Sequence, residues 1–266
     1  MSSIDERFRQ LRTENRKALI PFITAGDPDL EFTRQVLLEL DQAGASVLEV
    51  GIPYSDPIAD GPIIQASYTR SLQRGIRVPD ILATLGRTTP ELQSPVVTMV
   101  SYAIIHRYGK ERYVADAREA GIAGAIVPDL LVEEADEFAQ LCRRADFSLI
   151  QLVTPTTPRD RAVRIAQQSS GFLYYVSVTG ITGERRELPP ELLDNVRWLR
   201  GQTDLPICIG FGISQPEHVR ALREVADGLI VGSAIVRRMA EAEQHGREKS
   251  LQDVASFTRQ LVSALA

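Results

Sequence analysis

Short, β-branched apolar runs recur along the whole of this chain, with longer amphipathic stretches between them. Eight runs read as strands: Ala18–Thr24, Val47–Gly51, Val96–Ser101, Gly124–Pro128, Ser148–Val153, Phe172–Val178, Pro206–Gly210 and Gly228–Val231. Their starts lie on average about 30 residues apart, the length of one strand plus a crossover helix. The runs are apolar at almost every position, as in a parallel sheet buried on both faces. Helices are predicted over Phe32–Ala43, Tyr108–Ala120, Glu133–Arg144, Arg159–Gln168, Pro190–Arg200 and Pro216–Val225. Pro190 and Pro216 fall in a first helical turn, which tolerates proline. Eight such units predict an α/β fold, a closed (β/α)8 TIM barrel. An open doubly wound sheet is the alternative, because alternation alone does not show closure. Ile4–Glu14 and Leu251–Leu265 read as an extra N-terminal and a C-terminal helix capping the barrel ends. No linker-like shift in composition divides the chain, so residues 1–266 are expected to form one barrel domain.

Composition narrows the class of function. Hydrophobic residues make up 44% and charged residues 24% of 266, which excludes a disordered or fibrous chain. Lys and Arg total 30 against 35 Asp and Glu, a net charge of −5. That balance argues against nucleic-acid partners, which need a basic surface, and gives no support for an acidic membrane. The N-terminal stretch is charged throughout, unlike a signal peptide, and no apolar run approaches the ~20 residues that span a bilayer. The only two cysteines, Cys142 and Cys208, form no paired framework, so a cytoplasmic location is expected.

Two crossovers depart from the rhythm. A long stretch containing Pro53, Pro57, Gly61 and Pro62 follows the second strand, and Thr179–Pro190 follows the sixth. Both leave strand C-termini, the end of a barrel where active sites are built. Glu49 stands inside the second strand, on the same face as Val47 and opposite Leu48 and Val50. Pointing inward, its carboxyl has a raised pKa and is suited to proton transfer; paired with an Arg or Lys, it is structural. Asp56 and Asp60 lie in the turn-rich segment beyond it, and either one can face Glu49 or cap a turn. Gly210-Phe211-Gly212 and Gly232-Ser233 follow strands seven and eight, where backbone N–H groups of barrels often hold phosphate. Tight turns use the same residues. His106, His218 and His245 show no metal-ligand spacing, and no zinc or other metal site is expected. Neither Lys17 nor Lys110 is placed for a Schiff base, and no P-loop, G-x-S-x-G or strand-linked G-x-G-x-x-G occurs. The residues alone thus predict a barrel enzyme that handles a phosphorylated small molecule by carboxyl acid–base chemistry.

Three segments resemble the tryptophan synthase alpha subunit family: Pro21–Pro28, Leu48–Pro62 and Gly180-Ile181-Thr182-Gly183. The resemblance runs in register over nearly the whole chain. It implies a lyase that cleaves indole-3-glycerol phosphate to indole and glyceraldehyde 3-phosphate, a retro-aldol reaction of tryptophan biosynthesis. It implies a beta-subunit partner in an alpha2beta2 complex with an indole tunnel. Pyridoxal phosphate is then expected only in the beta subunit, with no cofactor in this chain. By the same resemblance Glu49 protonates indole C3 and Asp60 stabilises positive charge at the indole N–H. Phe22, Val100, Tyr102, Val127, Tyr174, Phe211 and Ile230 match the family's residues around the substrate. Thr182 matches a loop threonine that bonds the catalytic Asp, and Gly183, Gly212, Gly232 and Ser233 match phosphate contacts.

The chain departs from the family in three places. Tyr54 replaces a usual Phe on a surface expected to face the partner, Ala103-Ile104-Ile105 replaces a segment that often carries Asn, and Leu130-Leu131-Val132 follows Asp129 in place of a common Leu-Pro-Pro. A stand-alone lyase releasing free indole, or a scaffold subunit without turnover, are the competing expectations.

Overall fold

The computed structural model describes residues 2–57, 60–177, 190–210 and 212–266. Strands and helices alternate through it. The chain opens with α1 (Ser3–Thr13), β1 (Ala18–Thr24), α2 (Leu30–Gln42) and β2 (Leu48–Gly51). Next come α3 (Pro62–Gln73), α4 (Val78–Thr88), β3 (Val96–Met99), α5 (Tyr102–Tyr108), α6 (Lys110–Glu119) and β4 (Ile122–Ile126). Then follow α7 (Asp136–Arg144), β5 (Ser148–Ile150), β6 (Leu152–Val153), α8 (Arg159–Gln168), β7 (Leu173–Val176) and α9 (Pro190–Arg200). The last elements are β8 (Ile207–Gly210), α10 (Pro216–Leu222), β9 (Gly228–Val231), α11 (Ser233–Ala240), α12 (Ala242–His245) and α13 (Arg247–Leu265).

All strand pairs are parallel, in the order β5-β4-β3-β2-β1-β9-β8-β7-β6. The two ends of that order, β5 and β6, are halves of one run interrupted only at Gln151. The sheet therefore returns on itself as an eight-fold barrel, and the open-sheet alternative falls. Strand alternation sorts the apolar residues into two layers. Ala18, Ile20, Phe22, Val47, Val97, Ile126, Ile150, Cys208 and Ile230 fill the interior, while Leu19, Ile23, Leu48, Val50, Ile207 and Leu229 meet the helices.

The floor of the barrel is closed by α1. Its first turn is fixed by a reciprocal cap in which Ser2 Oγ accepts from Asp5 N–H (3.3 Å) and the Asp5 carboxylate accepts from Ser2 N–H (3.1 Å). Ile4, Phe8 and Leu11 point into the interior layer, and the Phe8 ring lies 5.8 Å from that of Phe172 at the start of β7. The C-terminal helix does not cap an end. Val254, Phe257 and Leu261 of α13 belong to the helix-facing layer, and α13 packs beside α2 and α10. Those residues repeat at helical spacing on one side only, which suits a flank position in the outer ring better than a plug.

The long stretch after β2 holds two helices, α3 and α4, that the periodicity did not reveal. On α3 the buried face includes Ser67 and Ser71 as well as Tyr68, so its apolar stripe is broken by hydroxyls. Those hydroxyls are satisfied by partners on β1 and the turn after it, described below.

Candidate active site

On β2, Glu49 points inward. Its Cα is in register with Phe22 on β1 and Val97 on β3, both of which contribute side chains to the interior layer. Glu49 is fully buried, and neither carboxyl oxygen has a hydrogen-bond partner. Burial, with a smaller contribution from the Asp60 charge, pushes its pKa up to about 8. Among the described residues no cation offsets that shift, so the structural ion-pair reading finds no support. Glu49 is a neutral acid at pH 7, held in an apolar wall with its proton available.

Asp56 and Asp60 separate cleanly. Asp56 is exposed and accepts from its neighbour Ser55 Oγ at 2.7 Å, an ordinary turn interaction. Asp60 is half-buried, and loss of water raises its carboxyl to about 6 while leaving it ionised at pH 7. Its charge acts on Glu49, Tyr68 and Tyr174, which places it over the same mouth. The backbone of Asp60 is fixed by an N–H bond to Pro57 O (3.0 Å) and by Gln65 Nε2 donating to its carbonyl (2.7 Å).

The segment bearing Asp60 leads directly into α3, and α3 is pinned to the rim of β1. Thr24 and Ser67 share a buried hydroxyl hydrogen bond of 2.6 Å, and Ser71 Oγ donates to Ala25 O at 2.7 Å. Arg70 grips the buried Asp27 through Nε (2.9 Å) and Nη2 (2.6 Å). Arg70→Met is expected to strand the Asp27 carboxylate and cost about 3 kcal/mol in urea unfolding, the lower end of the usual range because Arg70 is partly exposed. A change below about 0.5 kcal/mol shows that this clamp does not hold α3 in place.

Phe22, Tyr174 and Ile230 come together around the two carboxyls in the interior layer. Burial, then the Glu49 and Asp60 charges, raise the Tyr174 hydroxyl well above its ordinary pKa. Two glycines permit this packing. A Cβ at Gly51 would stand 2.5 Å from the Phe22 ring, and one at Gly210 would stand 2.4 Å from Tyr174 Oη, so neither position admits a side chain without displacement. The structure groups Val100, Tyr102 and Val127 elsewhere. All three join the helix-facing layer, and Tyr102 meets the Phe138 ring edge-on at 5.9 Å. Both valines follow the last residue of their strands, β3 and β4.

Sequence reading missed Tyr68 and did not connect Tyr54 with the site. Both belong to the interior layer with Ile64, and their rings lie 5.5 Å apart at 53°. Tyr54 is half-buried beside the site, and burial, then Asp60 and Asp129, push its hydroxyl up to about 12. The four-residue spacing of Ile64 and Tyr68 was the available signal for a shared helical face.

The phosphate-type end lies beside Phe22. Gly232 is the N-cap of α11, and a Cβ there would sit in ordinary contact, 3.5 Å, with Phe22 and Ile64. Ser233 is exposed in the first turn of α11, whose leading N–H groups have no intrahelical acceptor and suit an anion. Gly212 adopts φ +78° after β8. Phe211, Thr182 and Gly183 lie outside the described residues, as do residues 178–189 as a whole. Among the described residues no group of three or more His, Cys, Asp or Glu is arranged to hold a metal ion, and no helix is long and apolar enough to cross a membrane.

Comparison with known proteins gives one consistent result. Residues 8–266 match the family model described as tryptophan synthase alpha chain. The tryptophan synthase alpha chain of Rhodopirellula baltica is 58% identical over 257 residues, covering 96% of this chain and 92% of that one. That of Rippkaea orientalis is 43% identical over 100% of this chain and 98% of its own. Among solved structures, tryptophan synthase subunit alpha from Legionella pneumophila superposes with a TM-score of 0.92 at 35% identity, covering 100% of this chain and 98% of the other. A tryptophan synthase from M. tuberculosis in its aminoacrylate-bound form gives 0.89 at 28% identity, with 100% of both chains covered.

Proposed function

Because the chain belongs to the tryptophan synthase alpha chain family, which cleaves indole-3-glycerol phosphate in tryptophan biosynthesis, we propose that it does so through Glu49 as general acid and Asp60 as electrostatic stabiliser. Proton transfer from Glu49 to indole C3 converts the aromatic ring to a cation whose charge is shared by the ring nitrogen. Asp60, ionised at neutral pH, accepts from the indole N–H and is drawn to it more strongly as that charge grows, so the interaction favours the transition state over bound substrate. The bond between C3 and the glyceryl carbon then breaks with its electrons returning to the ring. The hydroxyl on that carbon gives up its proton to the Glu49 carboxylate, which restores the acid and leaves glyceraldehyde 3-phosphate. Phe22, Tyr174 and Ile230 supply the apolar wall for the ring, and Gly212, Gly232 and Ser233, with Gly183, hold the phosphate.

The observation that carries this reading is the Glu49 carboxyl, fully buried with both oxygens unpartnered in a wall of apolar side chains. Acid–base chemistry of this kind calls for no electron sink, so the chain needs no cofactor of its own, and pyridoxal phosphate belongs to the beta subunit. Family membership implies that beta-subunit partner. We assign an alpha2beta2 assembly with indole passing between subunits, in the cytoplasm, where the two buried free cysteines stay reduced.

Indole release tests the proposal, measured across pH with and without a beta subunit. With Asp60 ionised above about 6 and Glu49 protonated below about 8, kcat/KM of the free chain is expected to be bell-shaped with its maximum near pH 7. Stimulation by the beta subunit supports the complex. High activity of the chain alone favours a stand-alone lyase, absence of indole in both assays favours a scaffold, and a flat profile from pH 5 to 9 rejects the paired carboxyls.

A further inference from the structure

We propose that the Tyr68 hydroxyl is the hydrogen-bond donor that aims and holds the Asp60 carboxylate, which makes Tyr68 a positioning residue; its effect on turnover rests on the function proposed above, whereas the bond itself does not. Tyr68 is 1% exposed, and its hydroxyl is buried without a hydrogen-bond partner. Leaving a buried hydroxyl unpaired is costly, so a group in this state calls for an acceptor within reach.

The phenol is fixed in place. Its ring stacks at a tilt against Tyr54, and its hydroxyl crosses the backbone of Gly51, where an added Cβ would approach it to 2.8 Å. Ser67, Arg70 and Ser71 fasten its helix to the rim of β1 on both sides of it. The groups that face the hydroxyl are Asp60 from the segment before α3, Tyr54 from the same segment, Glu49 from β2 and Tyr174 from β7, with Asp60 acting most strongly. Arg70, on the same helix, is committed to Asp27.

Only one of these is a good acceptor. Glu49 is held neutral by its burial, and the two phenols are held protonated by theirs. Asp60 is ionised at pH 7, and among the described residues no side chain donates to its carboxylate. Its backbone is anchored to Pro57 and Gln65, which leaves the carboxylate as the part of Asp60 free to turn toward a donor. The Tyr68 phenol stays protonated because burial and the surrounding acids oppose its ionisation, so it acts only as a donor. A bond to the ionised carboxylate favours the charged form that faces the indole nitrogen.

The test is Tyr68→Phe, which keeps the ring and removes the hydroxyl. In the free chain, the Asp60 carboxyl midpoint read by 13C NMR is expected to rise by about one unit, and the acid limb of kcat/KM to move up with it. Turnover at pH 7 is expected to fall about tenfold with KM little changed, and the melting temperature to stay equal or rise. A shifted Asp60 midpoint in a chain that releases no indole upholds the bond and rejects the lyase reading. An unchanged Asp60 midpoint overturns the proposal, and so does a shift of Glu49 in place of Asp60.

Discussion

Replacing Glu49 with Gln is expected to lower indole release by about 10³–10⁴-fold while the chain folds normally and still binds substrate. Glutamine has nearly the same shape and is neutral, as the native side chain is at pH 7, so packing around Phe22 and Val97 is preserved. What is lost is the transferable proton. The same substitution is expected to raise stability, and the sign follows from linkage. A carboxyl whose folded pKa is raised from 4.5 to about 8 binds its proton more tightly in the folded chain. Its stabilising contribution is complete below the unfolded value and is lost as pH rises toward 8. Glutamine removes that loss, so E49Q should exceed the parent by roughly 1–3 kcal/mol at pH 9 and show less pH dependence in urea melts. Unchanged turnover contradicts the acid role; a chain that no longer folds shows that Glu49 serves structure first.

Asp60→Asn is expected to reduce kcat by about 10²–10³-fold with a small change in KM. Asparagine still accepts from an N–H but carries no charge, so it binds the neutral indole as well as before and loses its advantage when the ring becomes cationic. A second consequence identifies the mechanism. The Asp60 charge is one of the two causes that raise Glu49, so removing it lowers the Glu49 pKa and moves the alkaline limb of the pH profile to lower pH. A large loss of kcat with both limbs unmoved assigns Asp60 to loop structure and not to charge stabilisation.

Local chemistry and strand parity made much of this site legible in the sequence. Period-two alternation placed Glu49 on one face with Val47, and the repeat of apolar runs fitted a barrel; that this face is the inner one, and that the sheet closes, came from the structure. Asp56 and Asp60 were equivalent on the page because both sit among turn formers. Only the course of the segment shows that one faces solvent and the other the mouth. Helix α3 stayed hidden because two of its buried positions are serines, whose hydroxyls find partners on the distant residues Thr24 and Ala25, with Ser67 also bonding back to Ile64 O. Tyr68 went unseen with it. Val100 and Val127 matched pocket positions by family likeness; one residue past the ends of β3 and β4, they group with the helix-packed cluster, and Tyr102 meets Phe138. The long C-terminal helix gave a clear amphipathic signal, but which surface it covers depends on the neighbours α2 and α10.

The whole account depends on Glu49 carrying a proton at neutral pH in the absence of substrate. Titration of its side-chain carboxyl in the free, full-length chain, followed by site-resolved 13C NMR from pH 4 to 10, measures that directly. A midpoint near 8, falling when Asp60 is replaced by Asn, is the predicted result. A midpoint close to the ordinary 4.5 means that water or a cation reaches the carboxylate, and it contradicts the assignment of Glu49 as the acid.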